Sequence, residues 1–324
     1  MRSAALAAIA LSAVVAVAGC SSATHRSAPA ATTAATTTTA TSTTGPAGSA
    51  VATVTATPVR TVVTADGTVG YRSFGTGPPL VLIMGYGGSI DDWTPSFIAA
   101  LATRFRVITP DNPAVGKSSP VPAPVTISAM AAQTSAFIAA LHLGRPDVLG
   151  WSMGGMMAQA LAVTHPEQVH HLILCATLPG DGKAVAPTPA VVAKLAAPAN
   201  AAATLSLLFL SDAAGQAASG TYVAGIISWP GYYPAGATAD KAEGGALVEW
   251  TSGQDPAGPE LGTIKTPTLV ADGAEDPLAP TGNPQHLAAA IPGAQLALYP
   301  DTAHAFMFQV QEQFVSRVTA FLAG

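Results

Sequence analysis

The chain is poor in charged residues and in cysteine. Only 10% of its 324 residues are charged, against about 25% in ordinary soluble domains. The 13 Lys and Arg form no basic run and are outnumbered by 18 Asp and Glu, which argues against a nucleic-acid-binding surface. Two cysteines cannot build a disulfide framework, and no cluster with the spacing of metal ligands is present. Apolar residues make up 49%, so most of the chain is expected to fold around a core.

A hydrophobic run long enough to span a bilayer is also missing at the N-terminus. The apolar stretch Leu6–Ala18 follows Arg2 and falls short of the about 20 residues that a transmembrane helix needs, so residues 1–19 are predicted to be a signal peptide. The sequence VAGC ending at Cys20 resembles a bacterial lipobox, which predicts a lipid on Cys20. We expect an exported protein, anchored by this lipid to the outer side of the cell membrane. Cleavage after Ala18, giving a secreted protein, is the alternative.

The segment that follows lacks large apolar side chains. Residues 20–57 are mostly Ala, Thr and Ser, and such a composition does not offset the entropy cost of ordering the chain. We expect a disordered tether between the lipidated Cys20 and the folded part. The second cysteine, Cys175, has apolar neighbours and is predicted to be a buried core residue.

From residue 58 onward, predicted strands and helices alternate. The predicted strands are Val59–Thr64, Thr68–Phe74, Leu80–Met84, Arg106–Thr109, Asp147–Leu149, His171–Ala176, Thr268–Ala271 and Gln295–Tyr299. The predicted helices are Asp92–Thr103, Ile127–Leu141, Ser152–His165 and Phe306–Leu322. Alternation of this kind indicates an α/β fold with a mainly parallel sheet and helices on both faces. We expect a core formed by residues 58–180 and 251–324, with residues 181–250 forming a helical cap insertion.

One motif predicts a catalytic nucleophile. Gly150-Trp151-Ser152-Met153-Gly154 has the pattern G-x-S-x-G and lies between a predicted strand and a predicted helix, as a nucleophile elbow requires. The turn is so tight that side chains two residues before and after the serine would collide. Ser152 would then stand at a helix N-terminus, where negative charge is stabilised.

Five stretches of the sequence carry a family resemblance. They are Leu82–Gly88, Asp111–Ser118, the elbow, Asp272–Pro277 and Thr302–Phe306. With them, the chain from about Val59 onward resembles the serine hydrolases of the α/β-hydrolase fold, here with an N-terminus like that of actinobacterial (mycobacterial-type) lipoproteins. The resemblance implies a triad in the order nucleophile, acid, histidine.

A histidine must activate the serine. Of seven histidines, His304 alone falls in a short loop between the last strand and the last helix, near the sheet edge where α/β sites lie, and the resemblance implies that it is the base. His170 and His171 are neighbours at the start of a strand, so we expect them to point to opposite faces.

The histidine in turn needs a carboxylate to orient it. Asp276 follows a predicted strand by a Gly-containing turn, and Pro277 comes directly after it, as in the resembled family. Asp272 and Glu275 are the competing candidates. Asp272 is expected to cap the turn, and Glu275 stands one position away, so Asp276 is the predicted acid.

Two backbone N–H groups should stabilise the oxyanion. The family pattern implies Met153, directly after the nucleophile, and Tyr86 in the loop after the third strand. Many family members have His-Gly where this chain has Met84-Gly85, which leaves open how the loop is held. Trp93 is expected either to line the pocket or to pack beneath this loop.

These residues predict a serine hydrolase that cleaves carboxylic esters or related small acyl compounds through an acyl-enzyme, with no metal and no cofactor. A cofactor-free perhydrolase (haloperoxidase-like) or a C–C bond hydrolase with the same triad is the first alternative, and a non-catalytic surface-binding protein is the second. Apolar cap residues suggest a hydrophobic acyl pocket, although they could equally form the core of the cap. They are Leu205, Leu207, Leu208, Phe209, Ile226, Ile227, Trp229, Tyr232 and Tyr233.

Overall fold

The computed structural model describes residues 46–196 and 201–324. The predicted signal peptide, the predicted lipidation site Cys20 and the tether up to residue 45 lie outside the described residues. Within the described ranges, every helix falls short of the length and apolar character needed to cross a membrane.

Eight strands form one sheet. They are β1 (Arg60–Thr64), β2 (Gly67–Phe74), β3 (Pro79–Ile83), β4 (Arg106–Pro110), β5 (Asp147–Trp151), β6 (Leu172–Cys175), β7 (Thr268–Gly273) and β8 (Gln295–Tyr299). Their order across the sheet is β1-β2-β4-β3-β5-β6-β7-β8. The hairpin β1–β2 pairs antiparallel, as does β2 with β4, and the other neighbours are parallel. The chain order therefore reverses at β3, which lies between β4 and β5, and crevices of this kind are where α/β proteins bind ligands.

Eleven α-helices surround the sheet in the described part of the chain. They are α1 (Pro46–Thr55), α2 (Pro95–Ala102), α3 (Ile127–Ala140), α4 (Met153–Thr164), α5 (Pro189–Ala196), α6 (Ala201–Leu208), α7 (Ala213–Ile226), α8 (Ala237–Thr251), α9 (Gly282–Ala290), α10 (Phe306–Gln309) and α11 (Gln311–Leu322). The helices α5 to α8 all fall between β6 and β7, and we call this segment the cap.

The sheet separates two hydrophobic cores because side chains alternate along each strand. On β3, Val81 and Ile83 belong to the core beneath α3 and α4, whereas Leu80 and Leu82 belong to the core beneath α2 and α11. Burial on both faces explains why β3 is a continuous apolar run. The α/β architecture expected from the alternation, a mainly parallel sheet with helices on both faces, is therefore present.

The tether prediction fails at its C-terminal end, because residues 46–55 form the helix α1. Val51 and Val54 stand three residues apart and so share one face of this Ala-rich helix. Val54 is buried in the same core as α2, and α1 packs against α2. This partner surface on α2 buries Val54, and composition alone cannot reveal such a surface.

Two predicted helices differ from the observed ones. The helix expected at Asp92–Thr103 starts only at Pro95, because the Thr94 side chain caps the Phe97 N–H and Pro95 has no N–H to donate. A separate 3₁₀ turn, Ile90–Asp92, precedes it. The predicted helix Phe306–Leu322 is divided at Val310, whose backbone leaves the helical region (φ −122°, ψ 44°).

Candidate active site

Ser152 sits in a strained turn between β5 and α4. Its backbone angles are φ 56° and ψ −120°, a conformation that a residue with a side chain adopts only where the surrounding structure enforces it. A Cβ on Gly150 would lie 2.2 Å from the carbonyl oxygen of Gly154, and a Cβ on Gly154 would lie 2.1 Å from that of Ile83. Both positions therefore require glycine, and together they form the tight elbow.

Neighbouring strands hold the backbone of the elbow. The Ser152 N–H donates to the carbonyl of Cys175 over 2.9 Å, and the Thr177 hydroxyl donates to the carbonyl of Ser152 over 2.6 Å. Met153 is the first residue of α4, so its N–H has no acceptor inside the helix. That N–H is available to a developing negative charge beside Ser152.

His304 and Asp276 form a buried pair. His304 follows β8, Asp276 follows β7, and Nδ1 of His304 lies 2.7 Å from Oδ2 of Asp276. The other oxygen of Asp276 accepts the N–H groups of Leu278 and Ala279 at 2.7 and 2.9 Å. The carboxylate is thus fixed on one side by backbone and directs its second oxygen at the imidazole. This contact fixes the orientation of the ring, and Nε2 is the ring nitrogen that does not face Asp276.

Asp272 within β7 and Asp276 after it differ in how readily they ionise. Burial opposes ionisation of Asp276, but the charge of His304 and the hydrogen bonds to His304, Ala279 and Asp272 outweigh it, so its pKa lies below the ordinary value. Asp272 lies within β7 with 1% of its surface exposed. Burial, and then the charge of Asp276, raise the pKa of Asp272 well above its usual range. Burial therefore favours the neutral form of Asp272, whereas the pairing with His304 favours the ionised form of Asp276.

The hydrogen bonds of Glu275 go to Thr302, in the loop before His304. Its carboxylate accepts the N–H of Thr302 over 3.0 Å, and its own N–H donates to the Thr302 carbonyl. It therefore secures the loop that leads to His304.

Ser152 and His304 line the same cavity, whose volume is 340 Å³. Most of the wall is apolar and comes from the core and the cap, with contributions from Leu178, Leu207, Leu208, Leu247, Val248 and Leu278. Asp92 is the charged residue among the described lining, and no Lys or Arg is found there. The cavity therefore fits an uncharged, apolar group of small-molecule size.

The chain shows similarity to known proteins over most of its folded part. A family model described as alpha/beta hydrolase fold matches residues 78–206. The poly(3-hydroxyalkanoate) depolymerase of Ectopseudomonas oleovorans is 30% identical over 256 residues, which is 75% of this chain and 84% of that protein. This chain belongs to the α/β-hydrolase fold family. A Mycobacterium tuberculosis protein named as a non-heme bromoperoxidase, BpoC, is 29% identical, and the aligned region covers 78% of this chain and 97% of that protein. The structure of an alpha/beta hydrolase fold protein from Chitinophaga pinensis superposes with a TM-score of 0.75 at 28% identity, covering 83% of this chain and 98% of that one.

Two long-range hydrogen bonds hold the loop after β3, in which position 84 is methionine and not histidine. The amide of Asn112 donates to the Met84 carbonyl over 3.0 Å, and the Gly87 N–H donates to Glu243 of α8 over 2.8 Å. Tyr86, the second predicted oxyanion donor, lies between these two attachments and lines the cavity. Sequence analysis missed Asn112 and Glu243 because nothing in the local pattern links residues so far apart in the chain.

Two further carboxylates hold the same loop. The Ser89 N–H donates to Asp92 over 2.8 Å, and the Ile90 N–H donates to Asp111 over 3.2 Å. Burial raises the pKa of Asp92 to about 7 and that of Asp111 to about 6, although hydrogen bonds partly oppose the shift. The cap supplies tyrosine hydroxyls to both, from Tyr232 to Asp92 and from Tyr233 to Asp111.

Most of the apolar cap residues do not line the cavity. Of the nine cap residues suggested for an acyl pocket, Leu207 and Leu208 belong to the described lining, whereas Ile227 is exposed and Trp229 is buried, with its indole N–H donated to the Trp93 carbonyl. Trp93 itself is fully buried and stacks on Phe97, so it packs beneath the loop. The alternative that these residues form cap core holds for the greater part of the set.

The expectation for the histidine pair was wrong. Nδ1 of His170 and Nδ1 of His171 lie 3.1 and 2.8 Å from the same oxygen of Asp147, so both rings turn to one side. His170 precedes β6, which begins at Leu172, and strand alternation does not apply there. These three residues bring possible metal-ligating atoms within 4.8 Å of one another, but hydrogen bonds already pair each imidazole with Asp147. Cys175, by contrast, is buried and unpaired, as expected.

Proposed function

We propose that this protein is a serine hydrolase that cleaves uncharged esters with apolar acyl groups. The observation that carries the proposal is the cavity shared by Ser152 and His304, together with the buried Asp276 that orients the imidazole from behind. An apolar wall without Lys or Arg among its described residues favours an uncharged acyl chain over an anionic one.

The mechanism follows from the roles that these groups can take. His304 Nε2 accepts the proton of Ser152 as its oxygen attacks the ester carbonyl, and Asp276 stabilises the resulting imidazolium. The N–H groups of Met153 and Tyr86 stabilise the oxyanion. His304 then protonates the leaving alcohol, and a water activated by the same imidazole hydrolyses the acyl-enzyme.

A fluorophosphonate probe and a series of esters test this proposal. We expect the probe to label the wild type covalently and Ser152→Ala to lose both labelling and turnover with an almost unchanged unfolding temperature, because the loss is chemical. Turnover should rise from acetyl to longer unbranched acyl esters. Labelling that persists in Ser152→Ala would show that another serine is the nucleophile.

A cofactor-free perhydrolase is the second candidate, and the bromoperoxidase relative favours it. In that case hydrogen peroxide would replace water in deacylation and release a peracid. Comparing ester hydrolysis with peracid formation in the presence of peroxide separates the two. We further propose that the protein is exported and anchored through a lipid on Cys20, for which the lipobox-like sequence is the support.

A further inference from the structure

The peptide bond that follows His304 is held on both sides. Its carbonyl, which belongs to His304, accepts the indole N–H of Trp151 over 3.1 Å. Its N–H, which belongs to Ala305, donates to the carbonyl of Leu208 over 2.9 Å. Trp151 is the last residue of β5 and Leu208 is the last residue of α6 in the cap. The main chain at His304 is therefore fixed between the elbow and the cap.

Trp151 reaches His304 because of its place in β5. Side chains alternate along a strand, and the indole of Trp151 points into the core beneath α2 and α11. The helix α10 begins two residues after His304 and packs into the same core through Phe306. The residue before the nucleophile and the turn that carries the histidine therefore meet on one face of the sheet.

Aromatic neighbours fix the direction of the indole N–H. Trp151 has 3% of its surface exposed, and its ring lies 5.5 Å from that of Phe308, edge to face, and 6.0 Å from that of Trp93. The imidazole of His304 lies 5.8 Å from the indole and is inclined to it by 37°. Close packing on several sides keeps a ring in one orientation, so the N–H stays directed at the His304 carbonyl.

This hydrogen bond fixes something that Asp276 does not. Asp276 holds Nδ1 of His304 at 2.7 Å, which sets the direction of the ring but not the distance of its main chain from Ser152. For proton transfer, Nε2 must come within hydrogen-bonding distance of the Ser152 hydroxyl. Trp151 is covalently joined to Ser152, so a bond from Trp151 to His304 ties the base to the nucleophile itself.

We propose that Trp151 is a positioning residue, whose indole N–H holds the main chain of His304 at the distance from Ser152 that proton transfer needs. This inference rests on the proposed function, because the distance matters only if His304 activates Ser152. Misplacing a reacting group by about 1 Å can lower a rate by about 10²-fold. Since Leu208 and Asp276 still hold the histidine when this bond is lost, we expect a smaller effect.

Trp151→Phe removes the N–H and keeps an aromatic ring at the elbow. We expect kcat for a soluble ester and the rate of fluorophosphonate labelling of Ser152 to fall together by about 10-fold, with a smaller change in KM. Both rates depend on how well Ser152 is activated. A residue that only lines the cavity would instead change KM, because it acts on the binding of the ester.

Trp229→Phe is the matched control. The indole N–H of Trp229 also donates to a main-chain carbonyl, that of Trp93, over 3.0 Å, and Trp229 is equally buried but lies outside the described lining of the cavity. Its loss removes one buried hydrogen bond and a contact with the Arg72 guanidinium. The unfolding temperature should therefore fall at least as far as in Trp151→Phe, while kcat and the labelling rate stay close to wild type.

A second variant separates the N–H from the size of the ring. Replacing Trp151 by 3-benzothienylalanine, introduced at that position alone, exchanges the indole N–H for sulfur and leaves the ring almost the same size. We expect the same loss of kcat and of labelling rate as in Trp151→Phe, although no cavity is created in the core.

The outcomes separate the two proposals. A wild type that shows neither labelling nor turnover refutes the proposed function. If the wild type is active and the benzothienylalanine variant keeps its kcat and labelling rate, the role of Trp151 is refuted, as it is by a Trp151→Phe enzyme in which only KM changes. Should Trp151→Phe fail to fold, the benzothienylalanine variant decides alone.

Discussion

Replacing Asp276 by Asn tests the orientation of the imidazole. In Asp276→Asn, the amide oxygen can still accept the two backbone N–H groups of Leu278 and Ala279, so the loop geometry is kept. The atom that faces Nδ1 of His304 at 2.7 Å becomes an NH₂ donor in place of an acceptor. The imidazole must then carry its proton on Nε2, the nitrogen that should take the proton of Ser152.

The magnitude follows from this change of tautomer. Forcing the wrong tautomer in comparable triads lowers kcat by about 10⁴, which corresponds to about 5 kcal/mol of lost transition-state stabilisation. Asp272→Asn is the matched control. Burial already favours the neutral form of Asp272. An amide can accept the Gly273 N–H as the acid does over 2.8 Å while its NH₂ donates to Asp276. Its turnover should stay within about tenfold of wild type.

The assay is steady-state hydrolysis of a soluble ester at pH 8, with the unfolding temperature and circular dichroism of each variant as a check that it is folded. The reasoning would be refuted if Asp276→Asn kept wild-type turnover, or if Asp272→Asn were the inactive one of the two. In the second case the acid would be Asp272, although the fold would stand.

Three other predictions concern stability and location. Gly150→Ala should destabilise the fold by roughly 2–4 kcal/mol in denaturant unfolding, because the added Cβ meets the Gly154 carbonyl; wild-type stability would show that the elbow is not tight. Burial raises the pKa values of Asp92, Asp111 and Glu243 in the folded protein to about 7, 6 and 8. The protonated groups therefore contribute fully to folding stability below about pH 4, and this contribution is lost as the pH rises through those values. The unfolding temperature should therefore fall between pH 5 and about pH 8.5, with a smaller fall in Glu243→Gln, and a rise over this window would contradict the burial argument. Cys20→Ala should move the protein out of the membrane fraction on cell fractionation, and a variant that stays membrane-bound would exclude the lipid as the anchor.

The succession of strands and helices along the chain, the elbow and the loops that carry Asp276 and His304 could be predicted from sequence because local patterns encode them. Ser152 needs glycine on both sides, and His304 needs a loop after the last strand, and both requirements are visible within a few residues. The support of the oxyanion loop was not accessible, since Glu243 reaches Gly87 across 156 positions of sequence. The same holds for Tyr232 and Tyr233, which pattern alone grouped with apolar residues although their hydroxyls bind carboxylates.

The hydrogen bonds from Tyr232 and Tyr233 to the core have a consequence for protein engineering. The cap is not an exchangeable module. A chimera carrying the cap of another family member would leave Asp92 and Asp111 buried without their hydroxyl donors and the Gly87 N–H without Glu243. Changes in substrate range should therefore be made inside the existing cap, at Leu207 and Leu208, which line the cavity without taking part in these side-chain contacts.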